Sequence, residues 1–144
     1  YCRKAAPEVA KLLKEDGNIR FVVKEFPILG EASVTSSRFA IAAKQVAGSE
    51  AYKLVHDALI EFGGEPSEKA LRRIAEGLDL DADAIVARME SDEVTQEIAQ
   101  TRALAQRMRL TGTPAFVLGG EVLRGYLPAG QMAIIAAEQR QEQS

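Results

Sequence analysis

The 144-residue sequence predicts an α/β fold carrying a helical insertion. Three observations predict it. An amphipathic helix at the start runs directly into a dense β-branched and aromatic stretch. A long central region keeps a helical rhythm. The end changes character, with two short apolar runs around a glycine pair followed by a last helix.

The first element is a helix in which Cys2, Ala6, Val9 and Leu13 recur at spacings of four, three and four, a single apolar face. Pro7 inside that pattern predicts a kink or a loosened turn, and Gly17-Asn18 ends the helix. Next comes NIRFVVKEFPILG, where Ile19, Phe21, Val22, Val23 and Phe26 lie between Asn18 and Pro27. This reads as a strand buried on both faces, and therefore parallel. A helix followed by a parallel strand is the second half of a βαβ unit.

From about Ser33 to Arg109 the pattern is helical. Phe39, Ala42, Ala43 and Val46 make one stripe, and Leu54, Val55, Ala58, Leu59 and Phe62 another. Gly63 to Pro66 breaks the chain, and Ser67 is placed to cap the helix after it. Asp81 or Asp83 starts a short helix, and Ser91 or Asp92 a longer one. In TPAFVLGGEVLRG the pair Gly119-Gly120 predicts a two-residue hairpin turn. Pro128 opens a final helix with Met132, Ile135 and Ala136 inward, and the polar tail EQRQEQS is expected to fray.

Composition narrows the function. Apolar residues make up 47% and charged residues 27%, ordinary for a globular protein. A net charge of −3 argues against nucleic acid or an anionic membrane surface as the main partner. No apolar run approaches the roughly 18 residues that a membrane span needs. One cysteine excludes a disulfide within these residues. A first residue other than Met fits a mature, tagged or truncated chain.

Most familiar chemistry is missing from the pattern. One histidine and one cysteine cannot build a zinc cluster, and no HExxH, phosphate loop or GxSxG occurs. Asp79, Asp81 and Asp83 read as a solvated helix start rather than a calcium loop. Cys2 is more informative. On composition alone it reads as a free buried cysteine. At the first turn of a helix, however, backbone N–H groups and the helix dipole favour a thiolate, and Arg3 and Lys4 add positive charge. A second cysteine three residues earlier would lie within disulfide reach. In TGTPAF, Pro114 directly precedes a strand, and its peptide bond is either cis, facing an extended peptide, or an ordinary trans bond. Lys24 and Glu25 lie on the predicted strand and read as a proton-transfer pair or, more simply, as partners of each other. His56 reads as structural, and Tyr1 as either a modulator of thiol chemistry or a surface aromatic.

The order of YC before an amphipathic helix, VVKEFPILG, a helical block, GTPAF, a hairpin and a terminal helix resembles the DsbA-like thiol-disulfide oxidoreductases of the thioredoxin superfamily. The resemblance covers nearly the whole chain. It implies a thioredoxin-like core over 1–30 and 111–144, with a helical insertion over 31–110. It implies that Tyr1 and Cys2 match the third and fourth positions of a CxxC motif, with Cys2 resolving. The attacking cysteine would fall two residues before Tyr1, and the family's central strand would also lie upstream. Thr113 and Pro114 match the residue before the cis-proline and the cis-proline itself, beside the disulfide and lining the client groove. The implied activity is thiol-disulfide exchange on unfolded or disulfide-bonded proteins, in a bacterial envelope or secreted space. The implied partners are these clients, a redox partner protein and further copies of the chain. No metal and no organic cofactor is expected, because the disulfide carries the electrons. Three other readings stay open: a glutathione-dependent isomerase or transferase of the same fold, a redox-inactive peptide-binding or chaperone-like module, and a plain structural domain.

Overall fold

The computed structural model describes residues 1–143. The chain divides into two compact units, one of Tyr1–Val23 with the residues from Met108 onward, the other of Lys24–Arg107.

The first unit begins with α1 (Cys2–Asp16), which Gly17 ends in the left-handed conformation at φ 73°, its N–H returning to the Leu13 carbonyl. A glycine suits that position because it has no Cβ to clash. Two expectations for α1 change. The helix runs through Pro7 without interruption. Its buried positions are Ala5 and Leu12, while Cys2 is exposed. The inward stripe is therefore rotated by about one residue from the predicted face. Leu12 packs with Ala129 and Met132, and Val9, Ile19, Leu123 and Leu127 close around them.

The hairpin forms as predicted. Strands β1 (Phe116–Leu118) and β2 (Glu121–Leu123) pair antiparallel, Phe116 opposite Leu123 and Leu118 opposite Glu121. At the end, α7 (Ala129–Gln143) takes in the tail expected to fray as far as Gln143, and Ser144 lies outside the described residues. Arg140 Nη1 donates to Asp16 Oδ2 at 2.8 Å, and its Nη2 donates to the Asn18 carbonyl at 2.9 Å. The bond from Arg140 holds the Asp16 carboxyl below its ordinary value. Further back on α7, Gln139 is buried, and its Oε1 accepts the Gly120 N–H at 2.6 Å.

Gly119 explains why the turn needs this residue. Its φ is 62°, and a Cβ there would stand 2.5 Å from Gln139 Oε1 and 2.8 Å from Gln139 Cβ. Gly119→Ala is therefore expected to destabilise the protein by about 1–3 kcal/mol, combining left-handed strain with displacement of Gln139. A urea titration followed by circular dichroism measures it, and an unchanged midpoint would refute this account.

The second unit is helical: α2 (Glu31–Ala47), α3 (Ser49–Glu61), α4 (Glu68–Gly77), α5 (Ala82–Arg88) and α6 (Asp92–Arg107). Helix α2 is its centre, packing on α3, α5 and α6. Phe39 to Ala43 are fully buried on it, and Val55, Leu71, Ile85 and Val94 are buried on α3, α4, α5 and α6. Val46 and Leu54 belonged to the predicted stripes but are exposed. Ser67 and Asp81 are the caps, accepting from the N–H groups of Ala70 and Ala84. Asp83 instead pairs with Arg72. Among the described residues, no His, Cys, Asp and Glu cluster fits a metal ion. No helix there is long and apolar enough to cross a membrane.

The main correction concerns the predicted strand over 19–26. These residues form no strand, and Phe21 and Val22 are 48% and 58% exposed. A parallel strand buried on both faces needs a ladder partner on its edges. Among the described residues the sheet holds β1 and β2 alone. The apolar pattern is that of a strand, but hydrogen bonding across a ladder decides whether one forms.

Candidate functional site

In the first unit, Tyr1, Gly112, Thr113, Pro114, Arg124, Gly125 and Tyr126 line a pocket of about 260 Å³. Three local structures bring them together. Tyr1 is the N-cap of α1 and places the next residue, Cys2, on the exposed first turn. The loop before β1 presents Thr113 and Pro114, joined by a cis peptide bond. The segment leaving β2 presents Arg124, Gly125 and Tyr126.

The first turn of α1, where Cys2 stands, carries no negative charge, and Tyr1 makes no side-chain cap bond. The open N–H groups and the dipole at a helix start stabilise an anion. Lys4 Nζ lies 5.7 Å from the centre of the Tyr1 ring. Glu8, one turn further on, is directed elsewhere: its Oε1 accepts the Ala129 N–H at 3.1 Å, capping α7. An exposed thiol in positive surroundings can exchange with a disulfide.

Arg124 and Tyr126 escaped the reading of the sequence. Arg124 Nη1 donates to the Arg109 carbonyl at 2.6 Å and Nη2 to the Met108 carbonyl at 3.3 Å. No short motif signals them, because the path leaving the hairpin puts them on the pocket.

Glu25 lies in the second unit and has different company. It accepts from Ser37 Oγ at 2.9 Å and from the Tyr52 hydroxyl at 2.5 Å, with His56 Nδ1 at 3.5 Å. These donors stand on α2 and α3, so Glu25 ties two helices together. Its neighbour Lys24 is exposed and is not among these partners. Burial pushes the Glu25 carboxyl up, but bonds from His56, Tyr52 and Ser37 outweigh burial and leave it below its ordinary value. Burial and the adjacent Glu25 charge push the Tyr52 hydroxyl far up, so it stays a donor.

A consequence for stability follows. The folded state holds the Glu25 proton more weakly than the unfolded chain does. The stabilisation is complete above the ordinary value of 4.5 and is lost as pH falls below it. Glu25→Gln is expected to flatten part of that acid limb and to cost about 1–3 kcal/mol at pH 7. Urea midpoints of both proteins from pH 3 to 7 test this, and parallel curves would refute it.

Known proteins share the sequence pattern and the fold of this chain. Residues 1–133 match the family model described as DSBA-like thioredoxin domain. The structure of a thioredoxin-like oxidoreductase from Silicibacter pomeroyi DSS-3 superposes with a TM-score of 0.87 at 38% identity, over 99% of this chain and 80% of that one. The thiol-disulfide exchange protein alpha-DsbA2 of Wolbachia pipientis shares the fold, with a TM-score of 0.87 at 24% identity, over 95% of this chain and 74% of that one. A curated relative, Na(+)/H(+) antiporter NhaA 3 of Salinispora tropica, is 32% identical over 120 residues, covering 83% of this chain. This chain spans only 18% of that antiporter's length, so most of the antiporter lies outside the shared segment. The predicted α/β, thioredoxin-like fold with its helical insertion is the fold observed, mostly helical with a small sheet, and the chain belongs to the DSBA-like thioredoxin domain family.

Proposed function

We propose that the protein is a thiol-disulfide oxidoreductase acting on protein substrates, with Cys2 as the resolving cysteine of a CxxC pair. The observation that carries the reading is the exposure of Cys2 on the first turn of α1, beside a pocket that Tyr1 shares with Thr113 and Pro114. Family membership supports the same chemistry.

The partner cysteine stands three residues before Cys2 in the native polypeptide. Its thiolate attacks a client disulfide, forming a mixed disulfide and releasing one client thiolate. The Cys2 thiolate then attacks the enzyme sulfur of the mixed disulfide. The second client thiolate leaves, two electrons have passed to the client, and the enzyme pair is oxidised. The reverse sequence forms a client disulfide. Thr113 and Pro114 hold the client backbone. The reading needs no metal and no organic cofactor. It places the protein in an oxidising envelope or secreted compartment, with a redox partner protein to reset the pair. Self-association of the chain belongs to the same reading. Glu25 and Lys24 are given no step in it, since the Glu25 carboxylate is engaged by Ser37, Tyr52 and His56.

The test is intact mass of the native protein after thiol alkylation, with and without prior reduction. Two extra alkylated thiols after reduction, one mapping to Cys2, are expected. A single thiol alkylated equally in both samples would overturn the proposal, leaving at most a peptide-binding module.

A further inference from the structure

We propose that the pocket next to Cys2 selects a carboxylate close to the reacting sulfur, and that Arg124 reads it. This rests on the function proposed above and names its substrate class. Two sources share the chemistry: an acidic residue beside a client's cysteine, and a small carboxylated thiol such as glutathione.

The pocket has one sign of charge. Of its seven lining residues only Arg124 carries a charged side chain, and the two tyrosines supply hydroxyls. Its rim adds one cation, with Lys4 Nζ 5.7 Å from the centre of the Tyr1 ring. The nearest acids along the chain are directed elsewhere. Glu8 caps α7, and Glu121 sits at the turn end of β2, opposite Leu118, about 10 Å of strand away from Arg124.

The local charge also departs from the chain's. The net charge is −3, from 18 basic and 21 acidic residues. The unit that holds the pocket has eight basic against six acidic residues, a net +2. The helical unit has the remaining ten basic and fifteen acidic, a net −5.

Arg124 is positioned to bind rather than merely to attract. A guanidinium has five N–H donors, and two carbonyl bonds fix its plane while leaving three. A held, planar fork is suited to paired bonds with a carboxylate. A loose lysine would contribute only a point charge.

The test separates binding from sulfur chemistry. Labelled octapeptides with serine in place of cysteine, flanked by aspartate or by asparagine, are titrated into the full-length protein by fluorescence polarisation. S-methylglutathione serves as the small-molecule arm. The aspartate peptide is expected to bind roughly three- to tenfold tighter at low salt. That preference should shrink at 0.5 M salt, disappear in Arg124→Gln and survive in part in Arg124→Lys. A preference of S-methylglutathione for wild type over Arg124→Gln, with the two peptides equal, would assign the carboxylate to a small thiol. Equal affinities in every arm, or a preference untouched by Arg124→Gln, would overturn the proposal. Should Arg124→Gln fail to fold, the salt dependence of wild type and Arg124→Lys decides. The thiol count tests the exchange reading independently, so the two can fail separately.

Discussion

Replacing Cys2 by serine in the full-length protein is expected to lower disulfide-exchange turnover by more than about 100-fold. A hydroxyl at this position stays protonated and cannot displace a thiolate from a mixed disulfide. The proposed upstream cysteine would keep its thiolate, so the variant should accumulate covalent enzyme–client adducts that reductant releases. Folding should change little, within about 0.5 kcal/mol, because the Cys2 side chain is exposed. Turnover of a labelled disulfide peptide, read beside a non-reducing gel, shows both effects. Wild-type turnover in Cys2→Ser would remove Cys2 from the chemistry.

Phe39→Ala should give the largest loss of stability. Phe39 is fully buried at the centre of α2, with Ile41, Val55, Leu71, Ile85 and Val94 also buried in the same unit. Removing the ring forfeits its transfer free energy and leaves a cavity, at a cost of about 3–5 kcal/mol. With a slope of about 2 kcal/mol/M, the urea midpoint falls by roughly 2 M. A fall below about 0.5 M would show that the helices around α2 close the gap.

How far the sequence could be read depended on whether local chemistry decides each feature. Ser67 and Asp81 cap helices because a side-chain oxygen reaches an N–H three residues on, which a short window contains. Gly119-Gly120 specifies a turn for the same reason. The segment over 19–26 is different, because its pattern describes a strand while a ladder requires another strand. The tail looks unanchored in a short window because the groups that hold its Arg140, Asp16 and Asn18, are more than 120 residues away. The site divides along the same line. Tyr1, Thr113 and Pro114, singled out by motif order, line one pocket, and Cys2 follows Tyr1 on the first turn of α1. Arg124 and Tyr126, and the partners of Glu25 at separations of 12 and 27 residues, depend on how the chain folds back.

The contact between Gly119 and Gln139 also constrains inheritance. The turn residue has no side chain where the helix residue fills the space, and the helix residue bonds the next N–H of the turn. A lineage that acquires a side chain at 119 is expected to carry a shorter residue at 139 as well. The order of substitution matters: shortening 139 first passes through a loosened hairpin, while filling 119 first passes through a clash. Descendants should therefore keep both ancestral residues or change both, and mixed pairs should be rare across a phylogeny.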